Sequence, residues 1–230
     1  QEGILDLSAP ERVVRLRVGK REALHVFRPL TLDDWLGFFK RGTDELVEQD
    51  DVTSAKSTAG EAAAWLWERA ILRIEGYDAG DDWKQRVSFL HKQGAVALLR
   101  EVEPEEGADP FNLRAERRTV RLSANWNLQV YDQLKHTFRL PALEEERRYR
   151  RLKVEWYRQK GRRDQSVRIR LAVTLQPLCE LYDALIESVE GYQFRSAELT
   201  PSAVEGRALG VNSLREFMDP IHKQVALTAL

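Results

Sequence analysis

Two short stretches near the start of the chain are rich in β-branched and other apolar residues. They cover residues 13–18 and 23–27, and residues 19–22 between them favour a turn because they begin with Gly19. Such stretches on both sides of a turn are typical of paired strands, so the pattern predicts a β-hairpin. Pro29 ends the second strand, since proline has no N–H for the ladder.

Apolar residues then recur at helical spacing. Thr31 with Asp34 three residues later is typical of a capped helix start, and the spacing predicts a helix over 32–49. Further helices are predicted over 61–75 and 82–102, the first of them ending at Gly76 because glycine readily adopts a left-handed conformation there. Residues 50–51 and 54–60 are predicted to be a loop.

The second half of the chain repeats the motifs of the first half in the same order. The repeated blocks are Arg12-Val-Val-Arg-Leu16 with Arg118-Thr-Val-Arg-Leu122, His25-Val-Phe-Arg28 with His136-Thr-Phe-Arg139, Ile74-Glu-Gly-Tyr77 with Val189-Glu-Gly-Tyr192, and Leu90-His-Lys-Gln93 with Ile221-His-Lys-Gln224. The spacing grows from 106 to 131 positions, so the second copy carries insertions. We therefore predict an α+β, mainly helical fold of two homologous modules, each a β-hairpin followed by about three helices.

The predicted modules cover residues 1–103 and 111–230, joined by an acidic linker rich in proline and glycine at 104–110. The hairpin turn of the second copy is longer and covers 123–135. Helices are predicted over 144–160, 178–186 and 213–230, and residues 167–174 are compatible with a strand or a helix.

Charge separates the two copies. The chain as a whole has a net charge of −1, but residues 1–110 carry −7 and residues 111–230 carry +6. The two halves therefore either attract each other or meet different partners. No apolar run approaches the roughly 20 residues that span a bilayer, the first residues do not resemble a signal peptide, and Cys179 is the only cysteine, so we expect a cytoplasmic protein.

The four histidines occupy equivalent places in the two copies: His25 with His136, and His91 with His222. They could form a metal or acid–base site across a pseudo-twofold axis, or each could make a local hydrogen bond that both copies need. The chain has no HExxH spacing, no cysteine cluster and no nucleotide-binding glycine motif. We therefore favour the structural interpretation and predict no catalytic residue, metal or cofactor.

One basic stretch occurs only in the second copy. Residues 147–170 contain eleven Lys or Arg residues interleaved with aromatic residues, a composition that can bind nucleic acid. Acidic residues interrupt the stretch, which favours a solvated helix face or an acidic protein partner over nucleic acid. Trp65 and Trp67 point about 200° apart on a helix, so one of them is expected to face the other module or a partner, with core packing of both as the alternative. The candidate partner-binding residues are Trp35, Trp67, Trp126, Arg150, Trp156 and Arg162.

The step Phe27-Arg-Pro-Leu-Thr-Leu-Asp-Asp34 after a short hairpin, with the later Glu-Gly steps at 75–76 and 190–191, resembles the small tail assembly chaperones of long-tailed phages and prophages. The resemblance implies a non-enzymatic adaptor that holds a tape-measure or tail-tube protein. Unlike those single-module proteins, this chain is duplicated, and Leu140-Pro141 replaces the Arg-Pro step in the second copy. A structural subunit of a tail or injection apparatus, and a nucleic-acid-binding module using 147–170, are the alternatives. The sequence does not indicate an oligomeric state.

Overall fold

The structure is a computed structural model and describes residues 3–42, 44–49, 52–78, 80–105, 116–159, 167–194 and 215–230. Within these ranges, only the backbone is described for residues 44–49, 52–57, 152–159 and 167–174. Statements about side chains below concern the remaining described residues.

The chain alternates strands and helices. The strands are β1 (Leu5–Asp6), β2 (Arg12–Val18), β3 (Arg21–Phe27), β4 (Asp44–Gln49), β5 (Val52–Ser57), β6 (Ile71–Glu75), β7 (Val102–Pro104), β8 (Arg117–Trp126), β9 (Gln129–Arg139), β10 (Ile186–Glu190) and β11 (Tyr192–Gln193). The helices are α1 (Leu32–Arg41), α2 (Ala59–Ala70), α3 (Trp83–Arg86), α4 (Phe89–Leu98), α5 (Leu143–Gln159), α6 (Val167–Leu185) and α7 (Pro220–Thr228).

The prediction of a mainly helical fold of two homologous modules, each a hairpin followed by about three helices, is wrong, because strands are as prominent as helices in the described residues. Helix α2 ends at Ala70 and strand β6 begins at the next residue; α6 likewise passes directly into β10 at Ile186. Both of these strands pair with the hairpin that precedes them. Apolar β-branched residues at 71 and 74 suit a helix interior and a strand equally well, and pairing with the hairpin decides for the strand.

Other predicted elements also differ in their bounds. Helix α1 ends at Arg41, and residues 44–49 of its predicted continuation form strand β4. Strand β5 pairs with β4, so residues 54–57 are strand rather than the predicted loop. The predicted helix over 82–102 divides into α3, α4 and β7. Residues 167–174 are helical, which settles the open alternative, and the predicted helix over 144–160 agrees closely with α5.

The same three-stranded arrangement occurs twice. Strands β2, β3 and β6 form one antiparallel sheet in that order, and β8, β9 and β10 form another, with β7 added beside β8. The registers match: Val26 lies opposite Arg73 and Phe27 opposite Ile71, while Thr137 lies opposite Ser188 and Phe138 opposite Ile186. An irregularity interrupts the pairing at the equivalent step in both sheets. The sequence repeat therefore corresponds to a repeat in strand pairing.

Contacts divide the chain into two compact units. The first unit comprises Glu11–Arg100 and Arg151–Pro177; the second comprises Gln1–Pro10, Glu101–Arg150 and Leu178–Leu230. In the first unit, α2 packs against α1 and α4, and α4 contacts β2. In the second unit, α7 contacts β7 and β8, and β1 pairs with β11. The predicted boundary at the 104–110 linker, most of which lies outside the described residues, stays a prediction.

Asp34 fixes the entry into the first helix. Its carboxylate accepts two hydrogen bonds from Arg28, at 2.7 and 2.9 Å, and one from Arg69 at 2.7 Å. It also accepts from the backbone N–H of Thr31, whose hydroxyl in turn accepts from the Asp34 N–H, which confirms the predicted cap. The equivalent pair in the second unit is Arg139 with Glu145, again bidentate.

Burial alone would raise the pKa of Asp34, because its side chain is only 1% exposed. The hydrogen bonds from Arg28, Thr31 and Arg69 outweigh that effect and hold the pKa well below its ordinary value. The charged form is therefore the folded form, and its contribution to stability is present above the pKa of the unfolded carboxyl and lost as the pH falls through the folded pKa.

We predict that Asp34→Asn lowers the free energy of unfolding by about 2–4 kcal/mol at pH 7, because it leaves two arginines facing a neutral amide. Glu145→Gln is the matched control; this carboxylate is 27% exposed and contacts one arginine, so the expected loss is about 1 kcal/mol. Urea unfolding of both variants measures the difference. Equal losses in the two variants would contradict the importance of burial at Asp34.

Candidate functional site

A chain of buried hydrogen bonds crosses the interior of the first unit. Trp67 Nε1 donates to His25 Nδ1 at 2.9 Å. His25 Nε2 lies 2.9 Å from the Tyr77 hydroxyl, which lies 3.0 Å from His91 Nδ1. The chain thus joins α2, β3, the segment after β6, and α4.

The tryptophan fixes the direction of the protons in this chain. An indole N–H can only donate, so His25 Nδ1 must be an acceptor. In the neutral imidazole the proton then lies on Nε2, which donates to Tyr77, and Tyr77 donates to His91. Each polar group along the chain is satisfied without a charge.

The second unit repeats this arrangement with one exchange. His136 Nδ1 lies 2.8 Å from the Tyr182 hydroxyl, and His136 Nε2 lies 2.8 Å from the Tyr192 hydroxyl, which lies 2.9 Å from His222 Nδ1. Tyr182 occupies the position of Trp67, 115 positions further along, the same spacing that relates Tyr77 to Tyr192. All four histidines therefore make local hydrogen bonds within their own units, as the structural interpretation of the repeat predicts.

The glycine before each bridging tyrosine has a different role from the predicted one. Gly76 and Gly191 have φ values of +82° and +85°, and each follows a strand rather than ending a helix. A Cβ at Gly76 would lie 2.7 Å from the carbonyl oxygen of Glu22. The positive φ turns the chain after the strand, which brings Tyr77 or Tyr192 to the buried histidine.

Burial keeps the central histidines neutral. It lowers the pKa of His136 to about 3, and burial together with the charge of nearby His91 lowers the pKa of His25 to about 4. The described residues contain no group of three or more His, Cys, Asp or Glu side chains placed to hold a metal ion. Burial also raises the pKa of the Cys179 thiol to about 12, which disfavours the reactive thiolate.

The candidate tryptophans have different environments. Trp35 is 1% exposed and packs edge-to-face on Phe38, and Trp67 is fully buried in the hydrogen-bonded chain. Trp65 is half-buried, with its ring against Gly37 and the Arg41 guanidinium 3.9 Å from its ring centroid. Of the two α2 tryptophans, Trp65 is therefore the one that lies partly outside the core, and Trp67 is the buried one.

Three other candidates lie in the second half. Trp126, at the end of β8, is half-buried and packs edge-to-face against His222, with ring centroids 5.6 Å apart. Arg150 is exposed on α5, 3.8 Å from Glu146. Trp156 lies on α5, but its side chain is outside the described residues, as are Arg162 and most of the basic stretch at 147–170.

The outer face of the second unit's sheet is lined by cations, which we name the cationic face: Arg117, Arg121, Lys135 and Arg139. Arg117 lies directly opposite Arg139, and Arg121 directly opposite Lys135. Between these pairs the hydroxyls of Thr119 and Thr137 lie 3.1 Å apart. Like charges directly opposite each other on a sheet destabilise the pairing, so this face is costly for the fold.

Acidic neighbours offset part of this cost. Arg117 donates to Glu187 at 2.5 Å, Lys135 to Glu190 at 2.8 Å, and Arg139 to Glu145. Arg121 is exposed and makes no ion pair with the described residues.

The equivalent face of the first unit is of mixed character: Glu11, Arg15 and Arg28 hold the positions of Arg117, Arg121 and Arg139. Val13, Leu24 and Val26 hold the positions of Thr119, Lys135 and Thr137, and Val26 is 1% exposed. The difference between the copies is visible in the sequence once the repeats are aligned residue by residue along the strands. No continuous stretch of sequence marks the cationic face, because its residues alternate with buried ones along β8 and β9.

Comparison with known proteins finds no matching family model, no matching curated protein and no matching solved structure. Within the described residues, no helix combines the length and apolar character needed to cross a membrane.

We predict that Tyr192→Phe lowers the free energy of unfolding by about 2–3 kcal/mol, because it leaves two buried imidazole nitrogens without their hydroxyl partner. Tyr77→Phe is the matched change in the first unit, where the tyrosine is partly exposed and water can replace the hydroxyl, so we expect about 1 kcal/mol. Thermal and urea unfolding measure both. A larger loss for Tyr77→Phe would contradict this account.

Acid should destabilise the protein before its carboxylates titrate. Because the folded pKa of His136 lies near 3, below the ordinary value of 6.5, the folded state binds fewer protons than the unfolded state. Stability is complete above pH 6.5 and falls below it, with a slope approaching about 1.4 kcal/mol per pH unit for this histidine. His136→Gln should be less stable at pH 7 but lose less between pH 7 and pH 5; an unchanged slope would contradict the prediction.

Proposed function

We propose that this chain is a non-enzymatic adaptor that binds an acidic segment of a partner protein through the cationic face of its second unit. The observation that carries the proposal is the pairing of like charges across two exposed strands, at positions where the first unit pairs Arg15 with Leu24 and has Glu11 in place of Arg117. A face that is unfavourable in the free protein becomes favourable when an acidic partner neutralises it.

The buried histidines support a binding role rather than a chemical one. Each central imidazole is neutral, fully buried and used on both nitrogens by neighbouring side chains. General acid–base catalysis requires a group within reach of a substrate proton and a pKa near the working pH, and these histidines have neither.

The biological setting follows from the sequence resemblance alone. We propose that the adaptor acts in the cytoplasm during assembly of a phage-derived tail or related particle, with a tape-measure or tail-tube protein as partner. An assembly adaptor of this kind co-purifies with its partner but is absent from finished particles. Stoichiometric presence in purified particles would support a structural subunit instead, and neighbouring genes without tail functions would count against the setting.

Affinity for an acidic peptide tests the surface. A fluorescein-labelled oligo-glutamate peptide should bind the full chain, and Arg121→Ala should weaken binding roughly fivefold, equivalent to about 1 kcal/mol. The matched control is Arg15→Ala, which removes the same charge from the equivalent position of the first unit. Fluorescence anisotropy measures both. Absence of binding at low salt, or equal losses in the two variants, would contradict the proposed surface.

A further inference from the structure

An open groove of about 560 Å³ lies at one end of the cationic face. Arg117, Arg139 and Arg215 line it together with Thr137, Ile186, Glu187 and the small residues Ala184 and Ser188. All of these residues belong to the second unit. The volume falls within the range of sites that hold a small ligand or a few side chains.

The first unit fills the equivalent space with its own side chains. Ala184 corresponds to Arg69 and Ser188 to Arg73, both at the 115-residue spacing of the flanking repeat. Arg73 donates two hydrogen bonds to Glu11, and Arg69 donates one to Asp34. Arg73 lies opposite the buried Val26 in the sheet, so its pair with Glu11 lies on that face.

The residues of these ion pairs are changed in the second unit. Arg117 replaces Glu11, which reverses the charge, and Ser188 replaces its arginine partner. Ala184 replaces the second arginine of the carboxylate clamp, so only Arg139 holds Glu145. Two arginines are thereby removed and a carboxylate is replaced by an arginine, which leaves an open groove lined by Arg117, Arg139 and Arg215.

The arginines of the groove differ in how many of their N–H groups already have hydrogen-bond partners. Arg139 is occupied, since its guanidinium donates to Glu145 and to the carbonyl oxygen of Ala184. Among the described residues, Arg117 uses its Nε for Glu187, and the Arg215 side chain makes no ion pair. The hydroxyls of Thr137 and Ser188 lie on adjacent strands in the groove.

We infer that this groove receives a carboxylate side chain of the acidic partner segment, held by Arg117 and Arg215 above the hydroxyls of Thr137 and Ser188. The inference rests on the proposed function and makes it specific. Arginine suits this role because its planar guanidinium binds carboxylates with two parallel hydrogen bonds.

Filling the groove with the first unit's own residues tests this inference. Ser188→Arg adds a positive charge, so attraction by overall charge alone predicts tighter binding of the oligo-glutamate peptide. If the peptide binds inside the open groove, the added side chain blocks it, and affinity falls by about tenfold or more. Ala184→Arg, which restores the second arginine of the clamp, should give a loss in the same direction and serves as the second variant should Ser188→Arg not fold.

Ser123→Arg is the charge-matched control, because Ser123 lies further along β8, beside Asp132 and outside the groove. We expect its affinity to equal or exceed that of the unchanged protein. Unchanged or tighter binding by Ser188→Arg and Ala184→Arg would overturn the groove while leaving the proposed surface intact. No binding of the peptide by the unchanged chain would overturn the proposed function itself. Tighter binding of single-stranded DNA than of the peptide at physiological salt, lost in Ser188→Arg, would overturn the protein ligand.

Discussion

Both units depend on one constraint, which is that an imidazole buried on a sheet must have a partner on each nitrogen. A buried polar group without a partner costs about 1–3 kcal/mol, a large part of a domain's stability. In the first unit His25 meets this constraint through Trp67 on one side and Tyr77 on the other. The strand, the helix and the turn must therefore all be formed before both nitrogens of His25 are paired. If one of these elements is not formed, a buried nitrogen has no hydrogen-bond partner and stability is lost.

This constraint also explains what the duplication preserved. The histidine, the bridging tyrosine and the glycine that turns the chain before it recur in both copies. Even the irregularity in the third strand's pairing recurs. The outer faces of the sheets carry no such requirement, and there the two units differ: Glu11 and Leu24 of the first unit correspond to Arg117 and Lys135 of the second.

The sequence predicted the local features that depend on short-range chemistry. The Thr31–Asp34 cap, the first hairpin and the equivalence of the four histidines all follow from residue types at fixed spacing. The long turn predicted over 123–135 is wrong, because β8 continues to Trp126 and β9 begins at Gln129. It did not predict β6 or β10, because residues 71–75 and 186–190 become strands only by pairing with a distant hairpin. Trp67 was expected to contact a partner but lies fully buried, for a similar reason. Helix periodicity separates Trp65 from Trp67 but does not say which side meets the core.

Much of the candidate site was present in the sequence but needed the strand register to be recognised. Arg117 and Arg139 are 22 positions apart, and only the pairing of β8 with β9 places them opposite each other. Ala184 and Ser188 are unremarkable until the register identifies Arg69 and Arg73 as their counterparts. The groove exists because Ala184 and Ser188 lack the long side chains of their counterparts. A sequence motif is made of residues that are present, so it does not reveal such an absence.

The exchange of Trp67 for Tyr182 has a consequence for the hydrogen atoms of the two chains. The indole allows a single order of donors and acceptors, running from the tryptophan to His91. A phenol hydroxyl can donate or accept, so the end of the second chain at Tyr182 does not impose that order. The same arrangement of heavy atoms in the second unit is compatible with two opposite proton arrangements, whereas the first unit is restricted to one. A single aromatic exchange between the copies thus changes the polarity of an internal hydrogen-bonded chain while the strand register around it stays the same.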